Sequence, residues 1–220
     1  MPEQVPPGRA GRLWLRGRLA FATRSVELLD RKRQLLRHEQ LHLASLREET
    51  QRRWVAAYAE AERWGLRATV LGGASDVALT AATVAGRATV EVPWRNTMGV
   101  LHPDNPHCTL PTLEATEAAA ANPAVAPAAA AYRQALEAAV AHGAADTSYR
   151  VLDAELHATE RRLRAIERHR VPALEDALRR LELRLDELER EDRVVTRWAV
   201  RHREGRHGGP ASDPERLSAT

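Results

Sequence analysis

The sequence predicts a mainly α-helical protein: a long antiparallel two-helix coiled coil formed by the N- and C-terminal segments, with a smaller middle region of short helices and a β-hairpin. Three observations predict it. The 220 residues are 29% charged and only 4% aromatic, a poor composition for a catalytic globule built on a bulky core. Two heptad seams of matching length bracket the chain, and the segment between them changes periodicity.

In the first segment Leu15, Leu19, Ala22, Val26, Leu29, Arg33, Leu36, Gln40 and Leu43 follow at alternating spacings of four and three, the apolar seam of a supercoiled helix. The spacing predicts a helix over 13–64 that contains no Pro and only Gly17, with Gly65 as its stop and residues 1–12 as a flexible lead-in. At ~1.5 Å per residue that helix spans roughly 78 Å, whereas a compact globule of this chain length is only about 45 Å across. It cannot fit inside a ball.

The second segment, 148–204, repeats the pattern with Leu152, Leu156, Thr159, Leu163 and Ile166, then Leu174, Leu178, Leu181, Leu185, Leu188, Asp192, Val195 and Ala199. Between Ile166 and Leu174 the register slips by eight residues where seven is expected, and Pro172 sits inside the slip. This reads as a stutter at which the helix bends without ending. Two equal seams on one chain are best buried against each other as an antiparallel pair, since each buried Leu or Val contributes ~1.5–3 kcal/mol only where a partner seam covers it.

The middle, 65–147, is punctuated by Gly72-Gly73 and Gly86. Arg87 to Trp94 reads as a strand, Asn96 as a turn and Met98 to Leu101 as a second strand, which makes a small hairpin. Pro103, Pro106 and Pro111 enforce loop, and Leu113 to Gly143 is Ala-rich helix interrupted at Asn122-Pro123 and Pro127. The tail, 205–220, with Gly208, Gly209, Pro210 and Pro214, is expected to be disordered.

Several function classes are set aside at this point. One cysteine, Cys108, excludes an internal disulfide and a CxxC zinc site. The longest apolar run, Ala118 to Tyr132, is too short for a membrane span and carries Pro123 and Pro127, so a soluble protein without membrane insertion is expected. Residues 1–12 lack a signal-peptide core, which points to the cytoplasm. The net charge is +3 and nearly every Arg has an acidic neighbour, so no nucleic-acid partner is expected. There is no Gly-rich phosphate loop and no glycine-flanked nucleophilic Ser, and no cofactor is implied.

One motif matches a chemistry literally. His38-Glu39-Gln40-Leu41-His42 is an H-E-x-x-H, which on a helix sets two imidazoles on one face beside a glutamate base for zinc hydrolysis. With Gln40 on the seam, however, His38 and His42 fall on the outward face of a coiled coil. Ser45 and Glu48 occupy the places of the extended motif's Gly and third His. Exposed histidines are the preferred reading, and a zinc hydrolase using His38, Glu39 and His42 is the alternative. The acidic run Asp186, Glu187, Glu189, Glu191 and Asp192 interleaves with Arg184, Arg190 and Arg193 as a solvated ion-pair face. Arg33, Gln40 and Asp192, polar on the seam, are expected to set register.

Three stretches also resemble a known family, in order along the chain. Arg12-Leu13, Arg18-Leu19-Ala20, Leu28-Leu29, Arg31-Lys32-Arg33 and Leu35-Leu36 resemble the N-terminal signature of the D subunit of the V-type (archaeal-type) ATP synthase/ATPase. Val92-Pro93-Trp94-Arg95-Asn96-Thr97-Met98-Gly99-Val100 is similar to its central hairpin. Ala165-Ile166-Glu167, Val171-Pro172 and Glu189-Arg190-Glu191 look like its second long helix. Ser25 and Arg164 depart from the family's usual glycine and asparagine.

The resemblance implies a central rotor shaft, non-catalytic itself, coupling ATP synthesis or hydrolysis to proton or sodium translocation. Its partners would be the catalytic and non-catalytic nucleotide-binding subunits of the hexamer, a second small central-stalk subunit and a membrane-ring adaptor, at the cytoplasmic face of the membrane. On that view Arg12, Trp14, Arg16, Arg18, Arg193, Arg197 and Trp198 are the candidate contacts to the hexamer, with no catalytic, cofactor or metal residue. A free-standing coiled-coil scaffold is the rival reading.

Overall fold

The computed structural model describes residues 5–83, 86–111 and 122–207. It is mainly helical, with a long N-terminal helix, a long C-terminal helix and a small β-hairpin region between them, the fold class the sequence predicts. The elements are α1 (Gly8–Thr83), β1 (Thr89–Glu91), β2 (Trp94–Thr97), β3 (Val100–Pro103), β4 (His107–Thr109), α2 (Val125–Ala165), a π-helical turn (Ile166–Arg170) and α3 (Val171–His207). The chain divides into two units, one of Met1–Val26 with Arg164–Thr220 and one of Glu27–Leu163.

The helices depart from their expected ends in instructive ways. α1 begins at Gly8, inside the stretch expected to be flexible, because only Pro6-Pro7 block the helix and Arg9, Ala10 and Arg12 favour it. Nor does it stop at Gly65. The glycine there serves close packing: a side chain would meet the Tyr132 hydroxyl at 2.7 Å. The break comes at Gly73, whose φ of +81° is left-handed backbone that favours glycine. The short Ala-rich helices expected over 113–143 are, where described, one helix that starts at Val125 and continues as the C-terminal segment, so no helix begins at 148. Pro127 interrupts nothing because it lies in the first turn of α2, where its missing N–H has no intrahelical partner to lose. The rest of that expectation, 112–121, and the tail beyond 207 lie outside the described residues.

In the Glu27–Leu163 unit the antiparallel course of α1 and α2 is read from its cross-links. Lys32 meets Glu155 at 2.8 Å, Gln40 donates to Asp153 at 2.5 Å, and Arg47 pairs with Asp146 at 2.7 Å. Gln40 thus sets register as expected, while Arg33 turns to Asp30 on its own helix. Leu36, Leu43, Leu152 and Leu156 form the core between these links. Further along, the seam changes from Leu to Ala: Ala61 packs with Ala131 and Ala135, and Ala68 with Ala124, Val125 and Ala128. Asn122 anchors this end, accepting from the Ala124 N–H at 2.9 Å and donating to the Ala68 carbonyl at 3.1 Å.

The hairpin is longer than the sequence suggested. β2 pairs with β3 through Thr97↔Val100, so the turn is Met98-Gly99 and not Asn96. Both turn residues have positive φ (53° and 85°), the two-residue turn that matches strand twist. Asn96 supports it by accepting from the Gly99 N–H at 2.8 Å. β1 pairs with β4 beyond it, and Asp104-Asn105-Pro106 faces only Val92-Pro93. That extra residue is a bulge, with Asn105 at φ +42°, which is how a strand follows prolines read as loop. One face of the hairpin lies on the helices: Val100 joins the Leu36–Leu152 cluster, and the Ser148 hydroxyl donates to the Pro103 carbonyl. His102 is buried there, its Nε2 3.0 Å from the Thr97 hydroxyl and its Nδ1 3.2 Å from the Pro103 carbonyl.

Candidate functional site

The candidate contacts to the hexamer lie in the Met1–Val26 with Arg164–Thr220 unit, where the start of α1 runs antiparallel to α3. Arg9 meets Glu189 at 3.1 Å and Arg16 meets Glu182 at 2.7 Å, so seven residues up one helix match seven down the other. Gly11 lets the helices close: a side chain there would meet the Pro6 carbonyl and Leu181 Cδ2. Leu15 is buried to 1% exposure, and beside it Trp14, Ala173, Leu174 and Ala177 line a shallow groove. The ion pairs are exposed and contribute little to stability; they fix the register.

The candidate contacts separate into two groups. Trp14 and Arg18 come together, the guanidinium 5.3 Å from the ring centroid in a cation–π contact, and both are half-buried, as is Arg12. Arg16 is exposed and engaged with Glu182. On α3, Arg193 reaches Glu189 at 3.8 Å, Arg197 lines a shallow groove with Asp192, Thr196 and Val200, and Trp198 stacks on His202 with centroids 4.0 Å apart. Because Arg9 already pairs with Glu189, α3 continues past the start of α1. Every residue from Asp186 to Arg203 is exposed, including Val194, Val195, Trp198 and Val200. The structure therefore does not bring Arg12 and Arg197 opposite each other, and Asp192 lies on a surface and not in a seam. Sequence reasoning passed over Glu182 and read Glu189 only as part of a solvated ion-pair face, without pairing either with α1.

The H-E-x-x-H residues lie in the other unit. His38 and His42 are exposed on α1, on the helix side away from the Leu36–Leu43 core, while Glu39 is half-buried at the edge of that core. Among the described residues no group of three or more His, Cys, Asp or Glu is placed to hold a metal, so the zinc alternative finds no third ligand there. Tyr58 titrates above its usual value, chiefly because it hydrogen-bonds Glu62, whose charge adds to the effect. That is a surface pair on α1.

The terminal pair presents arginines, two tryptophans and uncovered valines on helices held in register. A family model for the ATP synthase D subunit matches residues 13–200. The chain belongs to the ATP synthase D-subunit family. The match takes in α2, the hairpin and most of α1 and α3, and so overlaps all three stretches that carried the resemblance. The family is that of a rotary ATP synthase stalk subunit, not itself catalytic, which associates with other subunits of the complex. No curated protein matches the chain. Among the described residues no helix is long and apolar enough to cross a membrane.

Proposed function

We propose that this member of the D-subunit family is the central rotor shaft, coupling ATP synthesis or hydrolysis in a hexamer of nucleotide-binding subunits to proton or sodium translocation through a membrane ring. The observation that carries this reading is the family match across both long helices. In this reading 13–64 and 148–204 form the shaft, and 65–147 faces the ring, meeting a second small stalk subunit and a ring adaptor at the cytoplasmic face of the membrane.

The physics of the role fits the terminal pair. One charge crossing 100 mV carries ~2.3 kcal/mol, and a shaft must deliver that work without losing it to bending. The helices approach closely where Gly11 meets Leu181, and ion pairs one heptad apart favour a single register between them. Catalysis then belongs to the neighbours: the shaft's angle favours one conformation of each nucleotide site over another through differential contacts. Arg12, Trp14, Arg16, Arg18, Arg193, Arg197 and Trp198 are the proposed contacts. Arg193, Arg197 and Trp198 stand on the part of α3 that α1 leaves uncovered.

Reconstitution of the complex with and without this subunit tests the reading. ATP-driven ion pumping should require it, while the hexamer alone retains ATP turnover. Pumping that is unchanged without it would overturn the assignment. Replacing Arg12 and Arg197 by Ala should slow ATP-driven rotation by about tenfold, the equivalent of roughly 1.4 kcal/mol at the rate-limiting contact; unchanged rotation would remove them from the contact set.

A further inference from the structure

The seam of the C-terminal helix holds one residue too many, and the backbone shows where it goes. Leu156, Thr159 and Leu163 are buried and Ile166 is half-buried, at spacings of three and four. Glu167, Arg168, His169 and Arg170 are then all exposed, and half-burial resumes at Val171, Leu174, Leu178, Leu181 and Leu185. From Ile166 to Val171 the seam steps by five residues, where an α-helix against a partner steps by three or four. The hydrogen bonding makes the same step: the Val171 N–H donates to the Ile166 carbonyl, the i→i−5 bond of a π-helical turn.

Two causes would each place a π turn here. Pro172 has no N–H, and in an α-helix its ring would press on the carbonyl of Arg168, four residues earlier. The other cause is side-chain demand. An uninterrupted α-helix would turn everything beyond the extra residue by ~100° about the axis. The downstream contacts show the phase that has to be kept: Leu181 lies against Gly11, and Glu182 and Glu189 reach Arg16 and Arg9. A rotation of that size would carry all three off α1.

We propose that the π-helical turn Ile166–Arg170 is a phase-setting device: it absorbs one residue so that the seam of α3 stays on α1, and side-chain packing, not Pro172, holds it in place. The proline is accommodated by the turn and does not create it. It follows that the chain tolerates the loss of one residue at this turn but not elsewhere along the α3 seam.

The experiment uses the full-length chain in a Pro172→Ala background, which removes the proline from the question. Pro172→Ala alone should leave fast amide exchange at 167–171 unchanged. Deleting His169 in that background should close the α-helical bonds and slow exchange there by about tenfold or more, with the unfolding midpoint at or above that of Pro172→Ala. Deleting Arg180 instead should turn Leu181 and Leu185 away and lower the midpoint by about 5–10 °C, or prevent folding. The proposal is overturned if Pro172→Ala alone slows exchange at 167–171, if the His169 deletion is as damaging as the Arg180 deletion, or if the Arg180 deletion leaves the midpoint unchanged.

Discussion

The middle unit and the terminal pair use the same device, antiparallel helices with heptad seams, and bury it to different depths. In the middle unit Leu36 and Leu152 are 0% exposed, because the hairpin adds a third element through Val100 and His102. In the terminal pair Leu15 is fully buried, while the opposing Leu174, Leu178, Leu181 and Leu185 stay half-buried and α3 continues bare beyond Glu189. A two-helix seam leaves its flanks open to water however regular the heptads are, and a third layer is needed to close it. Burial is thus concentrated in one region, and the other is left open to water.

The sharpest way to break this comparison is to truncate a leucine in each region. Leu152→Ala should cost about 2–5 kcal/mol by chemical denaturation, since the surrounding helices and hairpin cannot collapse onto the cavity. Leu181→Ala should cost about 1–2 kcal/mol, because its half-exposed site gives back less transfer energy and water fills the gap. Equal losses would mean that the terminal pair is as well packed as the middle and that openness is not what separates them.

The next effect tests whether the hairpin is the covering layer. Ser148→Ala removes the hydroxyl that donates to the Pro103 carbonyl and should cost about 1–2 kcal/mol. Amide exchange in Val100–Pro103 should rise while that in α3 is unchanged. If exchange in the hairpin is unaffected, the packing of Val100 on the Leu36–Leu152 cluster holds β3 on the helices without this bond.

The heptads of Leu15–Leu43 and Leu152–Leu185 were legible because leucine marks a seam, although the same spacing also marked Leu188, which is exposed. Beyond Thr50 the seam passes to Ala57, Ala61 and Ala68 facing Ala124, Ala128 and Ala131, and alanine marks a helix equally well when it is exposed. The core there was therefore invisible, and Gly65 read as a stop when it is a seat for Tyr132. The eight-residue slip at Pro172 was visible, but spacing alone does not distinguish a bend from a π turn; the Val171 to Ile166 hydrogen bond does. In the candidate site the arginines and tryptophans were found by resemblance, whereas Glu182 and Glu189 required knowing which residues of α1 lie opposite.

A smaller effect of opposite sign comes from Thr159, which is 0% exposed with its Oγ1 buried and without a hydrogen-bond partner among the described residues. Thr159→Val keeps the shape and removes the stranded hydroxyl, so it should stabilise the chain by about 1 kcal/mol. A loss instead would show that a water reaches the hydroxyl and that the middle unit is wetter than its leucines suggest.

The smallest effect compares like with like. Lys32–Glu155 and Arg16–Glu182 are both ion pairs across antiparallel helices, at 2.8 Å and 2.7 Å, but the first has side chains 27% and 28% exposed and the second 55% and 36%. Water and salt screen the second pair more, so Arg16→Ala should cost no more than about 0.5 kcal/mol and Lys32→Ala up to about 1 kcal/mol. Raising the salt to about 1 M shortens the screening length to ~3 Å and should erase the Arg16 term before the Lys32 term. If the two fade together, the pairs share one dielectric environment, and the contrast between the regions rests on apolar packing alone.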